Sequence, residues 1–164
     1  MMGTSKIFER FLLLLCVLGF INKVSTQGCT SPLGMQSGTI KDSQITTSGV
    51  AKGTAAYGWQ ARLNRDIAAY GAWCVNISGG SSLYKNYDQY IQIDLVNMMV
   101  VTRIATQGQH PSRGNERVEN YKISYSKDSL NWIFYKEKDL MSANETEIFQ
   151  GNTDVSTVVR HDLN

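Results

Sequence analysis

The residues able to do chemistry are few and scattered. His110 precedes Pro111 in a turn-like stretch, and His161 sits in an alternating run near the end. No histidine pair has metal-ligand spacing, and no Cys-x-x-Cys, G-x-S-x-G elbow or P-loop occurs. Asp94, Glu116, Glu119 and Asp128 are spread over separate segments. A pair of carboxylates without a cleft is a weak hydrolase signal. The sequence argues against an enzyme. No cofactor is expected, with calcium left open. Asp42, Asp88 and Asp154 with loop carbonyls would suit a hard cation, and they read more simply as turn caps.

Three cysteines remain to be explained: Cys16, Cys29 and Cys74. The first lies in "FLLLLCVLGFI" (11–21), an apolar run behind Lys6 and Arg10. That run is too short to cross a bilayer, which takes about 20 apolar residues. It suits a secretory leader with cleavage in "VSTQG", so residues 1–27 are expected to be a signal peptide. The alternative is a buried N-terminal helix or an anchor. Cleavage removes Cys16 and carries Cys29 and Cys74 into an oxidising compartment, where cysteines usually pair. They either bridge each other or have partners elsewhere. Two sequons, at Asn76 and Asn144, are candidate glycan acceptors. The net charge of +2 is dispersed and leaves no nucleic-acid footprint.

The elements that must position these residues read as strands. "YIQIDL" (90–95) puts Ile91, Ile93 and Leu95 on one face and Gln92 and Asp94 on the other. "NYKISYS" (120–126) alternates likewise, with Tyr121, Ile123 and Tyr125 together. Further runs lie at 98–108, 131–136, 146–151 and 156–163, separated by Gly, Ser, Asn and Asp clusters. Only 53–64 carries helical residues, and Gly53 and Gly58 weaken it. Trp73 and Trp132 are expected in the core, whereas Trp59 suits the core and a binding platform equally. Short strands at near-regular spacing predict an antiparallel sandwich or jelly roll.

Several stretches together resemble the F5/8 type C, or discoidin, domain. "CTSPLGMQSGTIKDSQIT" (29–46), "ARLN" (61–64), "GAWC" (71–74), "YIQIDL", "VTRIATQG" (101–108), "YKISYSKDSLNW" (121–132) and "FQGNTD" (149–154) follow in the family's order. The spelling is nearest to discoidin domain receptor-like modules. The resemblance covers 29–164 and implies an all-β, antiparallel jelly-roll sandwich or barrel of the galactose-binding-like type. It also implies an extracellular, non-catalytic binding module of the kind found in cell adhesion and matrix proteins. In the family, cysteines matching Cys29 and Cys74 pair with cysteines in a closing segment. The resemblance therefore makes both half-cystines and implies a domain, 28–164, incomplete at its C-terminus. Two such bridges typically contribute about 2–4 kcal/mol each.

Family members bind through loops at one barrel end, which the resemblance places at about 47–54, 76–88 and 108–117. Val50, Lys52, Leu83, Tyr84, Lys85, His110, Arg113, Glu116 and Arg117 are the candidate ligand contacts. The expected partner is a carbohydrate or an extracellular protein. The alternative is an anionic phospholipid membrane, for which Val50 and Leu83 offer a thin apolar tip. Collagen-binding relatives carry Trp and Arg where this chain has Val50 and Gln109, and only Glu116 matches their pattern.

Overall fold

A computed structural model describes residues 8–14 (backbone only), 31–51, 56–65, 71–75, 88–110, 114–136 and 146–163. Among these described residues eight strands run in chain order: β1 (Phe8–Leu14), β2 (Ile45–Thr47), β3 (Gln89–Ile93), β4 (Arg103–Thr106), β5 (Asn120–Ser126), β6 (Ile133–Phe134), β7 (Phe149–Gln150) and β8 (Val159–Asp162). Among the described residues the only helical pieces are two 3₁₀ turns, Asp42–Gln44 and Gly58–Gln60. The larger sheet has the order β2-β3-β1-β5-β6, and β7 also pairs with β5. Strands β4 and β8 form the second sheet.

The all-β antiparallel expectation holds with one exception. β1 runs parallel to both its neighbours, β3 and β5, whereas every other ladder is antiparallel. Phe8–Leu14, part of the segment expected as a leader, is thus laid into the middle of the sheet. β5 begins and ends where its alternation does. β3 stops at Ile93 because the Asp94 carboxylate accepts the Val96 N–H at 2.7 Å and turns the chain. The expected run 98–108 contracts to 103–106: Val100 is exposed, and Val101 packs against the core around Tyr121 without joining a ladder. The runs 131–136, 146–151 and 156–163 likewise shorten to β6, β7 and β8. The helical tendency of 53–64 yields one 3₁₀ turn. A Cβ on Gly58 would lie 2.6 Å from Thr47 Cγ2, so this residue has to be small for the turn to lie on β2.

Two apolar clusters form the core. Ile40, Ile45, Trp73, Ile91 and Ile93 pack on the β3 side. Tyr121, Ile123, Phe149 and Leu163 pack on the β5 side. Within the second, Tyr121 stacks on Phe149 with ring centroids 5.5 Å apart, and His161 meets both rings edge-on. Burial pushes the Tyr121 phenol well above its usual range. Trp73 is buried as expected, and Trp132 is half-buried.

One charged residue ties the segment before β2 to the rest. Arg62, 6 % exposed, donates Nε–H to Trp59 O (3.1 Å), Nη1–H to Met35 O (2.6 Å) and Nη2–H to Ile40 O (2.8 Å). Nη2 also pairs with the Asp42 carboxylate at 2.6 Å. Gly34, at φ +112, lets the "PLG" turn close so that its carbonyl accepts from Gly38 and Ile40.

Arg62→Ala strands three carbonyls and is expected to cost about 3–5 kcal/mol in urea unfolding of the full chain. Arg62→Lys keeps the charge without the planar fork, and most of that loss is expected to persist.

Candidate functional site

The topology brings loops to one end of the sandwich. The chain leaves β2, enters β3, leaves β4 and enters β5 there, so 48–51, Asp88, 107–110 and 114–119 lie toward the same end. The first loop is firmly held. Ser48 N–H donates to Tyr90 O at 3.0 Å, Ser48 Oγ–H to Gln89 Oε1 at 2.8 Å, and Ala51 N–H to Cys74 O at 2.9 Å. Trp73 Nε1–H donates to Gly49 O at 2.8 Å. Val50 therefore sits half-buried between two anchored residues. Cys74, also half-buried, is part of that anchor, and Cys29 lies outside the described residues.

The third loop is closed by Gln109 N–H donating to Glu116 O at 2.9 Å. The Gln109 amide and Glu116 carboxylate both lean over Gly114, where a Cβ would lie 2.3 and 2.2 Å from their oxygens. Glu116 is nonetheless exposed. Arg117 is committed elsewhere: it pairs with Glu119 at 3.0 Å and donates to Asn115 O. His110 is half-buried against Gly71, whose N–H donates to the buried Gln60 Oε1 at 2.8 Å. Of the other candidates, Lys52, Leu83, Tyr84, Lys85 and Arg113 lie outside the described residues, as do the sequons at Asn76 and Asn144.

Sequence reasoning passed over part of the surface beside this loop. Tyr57, 49 % exposed, stacks on Trp59 with centroids 6.2 Å apart and planes 17° from parallel. The Arg65 guanidinium lies 4.7 Å over the Trp59 ring. Asn64 takes a left-handed φ of 55°, so the chain doubles back and lays Arg65 on Trp59. Asn64 N–H donates to Gln107 Oε1 at 2.9 Å, which fixes the platform to the third loop. Only the open status of Trp59 in the sequence hinted at it.

Two of the acidic residues weighed for a hard cation, Asp42 and Asp154, also serve as ion-pair and turn partners. Asp42 meets Arg62, and Asp154 accepts from Ser156 N–H (2.7 Å), Thr157 N–H (2.6 Å) and Thr157 Oγ1–H (2.7 Å). Among the described residues no three His, Cys, Asp or Glu side chains gather as a metal site. His161 Nε2 sits 2.6 Å from Gln150 O inside the aromatic cluster.

A two-sheet, all-β sandwich with its anchored loops and an aromatic–cationic platform near one end is a discoidin-type domain. The chain belongs to the F5/8 type C domain family, which matches residues 44–164. It is 35 % identical over 140 residues to coagulation factor V of Sus scrofa, covering 84 % of this chain and 6 % of that protein. It is 35 % identical over 132 residues to lactadherin of Bos taurus, covering 77 % of this chain and 28 % of the relative. A venom prothrombin activator pseutarin-C non-catalytic subunit of Pseudonaja textilis is 34 % identical over 139 residues, covering 82 % and 9 %. The chain thus spans a small part of the curated relatives it matches.

The Asp154 turn supports the third loop, since a Cβ on Gly108 would lie 3.2 Å from Asp154 O and 2.7 Å from Val155 Cα. Its hydrogen bonds from Thr157 and Ser156 hold the Asp154 carboxyl below the usual 3.8. A folded-state value below the unfolded one means that the stabilisation is present above about pH 4 and fades as pH falls through the folded value. Urea midpoints between pH 7 and pH 3 are expected to fall less for Asp154→Ala than for the unaltered chain.

Proposed function

We propose that this chain is a secreted or cell-surface recognition module that takes a carbohydrate or an extracellular protein at the loop-bearing end of the sandwich. The observation that carries this reading is the Tyr57–Trp59–Arg65 platform fixed to the third loop through Asn64 and Gln107. An aromatic face accepts the C–H side of a sugar or an apolar side chain, and a guanidinium beside it selects carboxylate or sulfate. Glu116 and His110 border the same loop. The leader-like N-terminus fits secretion, and within this reading Asn76 and Asn144 are glycan acceptors and Cys29 and Cys74 are half-cystines. Catalysis has no part in it.

A second reading, peripheral binding to anionic phospholipid, is favoured by Val50, held in the first loop by its anchored neighbours. The full chain on glycan and matrix-protein arrays, beside flotation with phosphatidylserine vesicles, separates the two. The first reading expects array binding weakened about tenfold by Trp59→Ala and no flotation with phosphatidylserine vesicles. Flotation that needs phosphatidylserine and is lost in the Val50→Asp, Leu83→Asp chain overturns it in favour of the membrane.

A further inference from the structure

Arg62, Arg103 and Arg117 each have a carboxylate partner. Arg65 has none among the described residues, and nothing among them accepts from its Nε–H, which is sealed from solvent. Its guanidinium lies instead over the Trp59 ring. A cation–aromatic contact offsets part of the cost of desolvation and leaves the charge unneutralised. The position is nonetheless enforced. Asn64 turns the chain through φ 55°, and Gln107 Oε1 accepts its N–H while Gln107 Nε2–H donates to Ser156 O at 3.0 Å. Gly71, at φ +68, approaches so closely that a Cβ there would lie 3.1 Å from the Arg65 carbonyl oxygen. A half-buried charge held in place without a counter-charge is a site prepared for an anion.

We infer that Arg65 is the acid-binding point of the loop end, and that its ligand is an oligosaccharide with a carboxylate on the sugar ring, a uronic or sialic acid. The inference rests on the reading of Tyr57, Trp59 and Arg65 as the ligand platform and narrows that reading to one chemical class.

The class follows from the geometry. With Nε sealed, the edge of the guanidinium left to a ligand is its Nη1–Nη2 end. Two parallel N–H groups there match the two oxygens of one carboxylate. Tyr57 is 49 % exposed, and its ring lies 17° from the plane of Trp59. Such a ring accepts the C–H face of a pyranose. In a uronic or sialic acid the carboxylate is joined to the ring itself, so two linked sugars reach Tyr57 and Arg65 without a flexible arm. An Asp or Glu side chain of a protein partner would meet the fork and leave Tyr57 uncovered. Charge density argues against a heavily sulfated chain. Each exposed ion pair contributes little, so such a chain needs several free cations together. Arg117 is already held by Glu119, and Glu116 is exposed on the same loop. One fork beside a carboxylate suits a ligand of low charge density.

The test titrates the full chain, unaltered and as Arg65→Gln, Arg65→Lys and Tyr57→Ala, at physiological ionic strength. The labelled probes are tetragalacturonate, a hyaluronan tetrasaccharide and sialyllactose, each beside the same sugar with its carboxylates reduced to alcohols. At least one acid probe is expected to bind about tenfold tighter than its reduced form. Arg65→Gln should abolish that ratio. Arg65→Lys, which keeps the charge without the fork, should lower it to about threefold. Tyr57→Ala should weaken acid and reduced forms alike, by about threefold. The ratio compares two ligands on one protein, so a change in stability does not move it. Equal binding of acid and reduced forms, a ratio that persists in Arg65→Gln, or no binding of any acid probe overturns the inference. So does polyglutamate or dextran sulfate that displaces the acid probe as well as the unlabelled sugar does. The platform reading fails separately. A neutral array ligand lost in Trp59→Ala and indifferent to Arg65→Gln leaves the platform standing and removes its acid selectivity. Ligands indifferent to both substitutions overturn the two together.

Discussion

The buried guanidinium of Arg62 is the contact on which the β2–β3 half of the sandwich depends. Desolvating a charge costs several kcal/mol, and that cost is offset here by three carbonyls and one carboxylate. The acceptors come from the Pro-Leu-Gly turn, from the entry to β2 and from the 3₁₀ turn at Gly58–Gln60. No sheet ladder joins these pieces to one another. Their apolar side chains, Leu33, Met35 and Ile40, reach the cluster around Trp73 only when the backbone is held in this arrangement. The fork thus converts loop backbone into one wall of the core, and the same wall carries Trp59 outward.

The other half depends on stacking instead. Tyr121, Phe149 and His161 come from three strands, and β6 and β7 each pair with a different stretch of β5. Gly151 makes this possible: a Cβ there would lie 2.2 Å from Val118 O, so the strands meet only if the residue has no side chain. With one half held by a fork and the other by rings, the central position between β3 and β5 is where the halves communicate. It is filled by the one strand that runs parallel to its neighbours.

Much of this was legible from sequence because alternation reports burial directly. Ile91 and Ile93 are buried, Asp94 is exposed, and β5 has the limits that its pattern predicts. Length was read less well. A β-branched run such as 100–102 extends a strand only if a partner lies alongside, and pairing is not a local property. The site was the least legible. Gly71 meeting His110, Trp73 reaching Gly49 and Asn64 reaching Gln107 each join distant parts of the chain. The Trp59–Arg65 contact spans few residues, but it needs the left-handed turn at Asn64, a conformation that composition does not announce. Arg117, read from its charge as a candidate ligand contact, also pairs with its neighbour Glu119, a partner that its loop-like setting did not announce.

These placements bear on how the loop end would work. Anchoring the first loop through Gly49 and Ala51, the third through Gln109 and Glu116, and the platform through Asn64 fixes the backbone before any ligand arrives. A ligand then orders few side chains, and the ordering of rotamer-rich side chains takes about 0.5–1.5 kcal/mol each from binding energy. Trp59 is contacted by both the Tyr57 ring and the Arg65 guanidinium, so its ring is oriented in advance. Affinity at such an end is set less by the area the loops cover than by how few groups must be fixed. Sequence change can therefore alter the ligand at the tips while the anchors, which belong to the fold, stay the same.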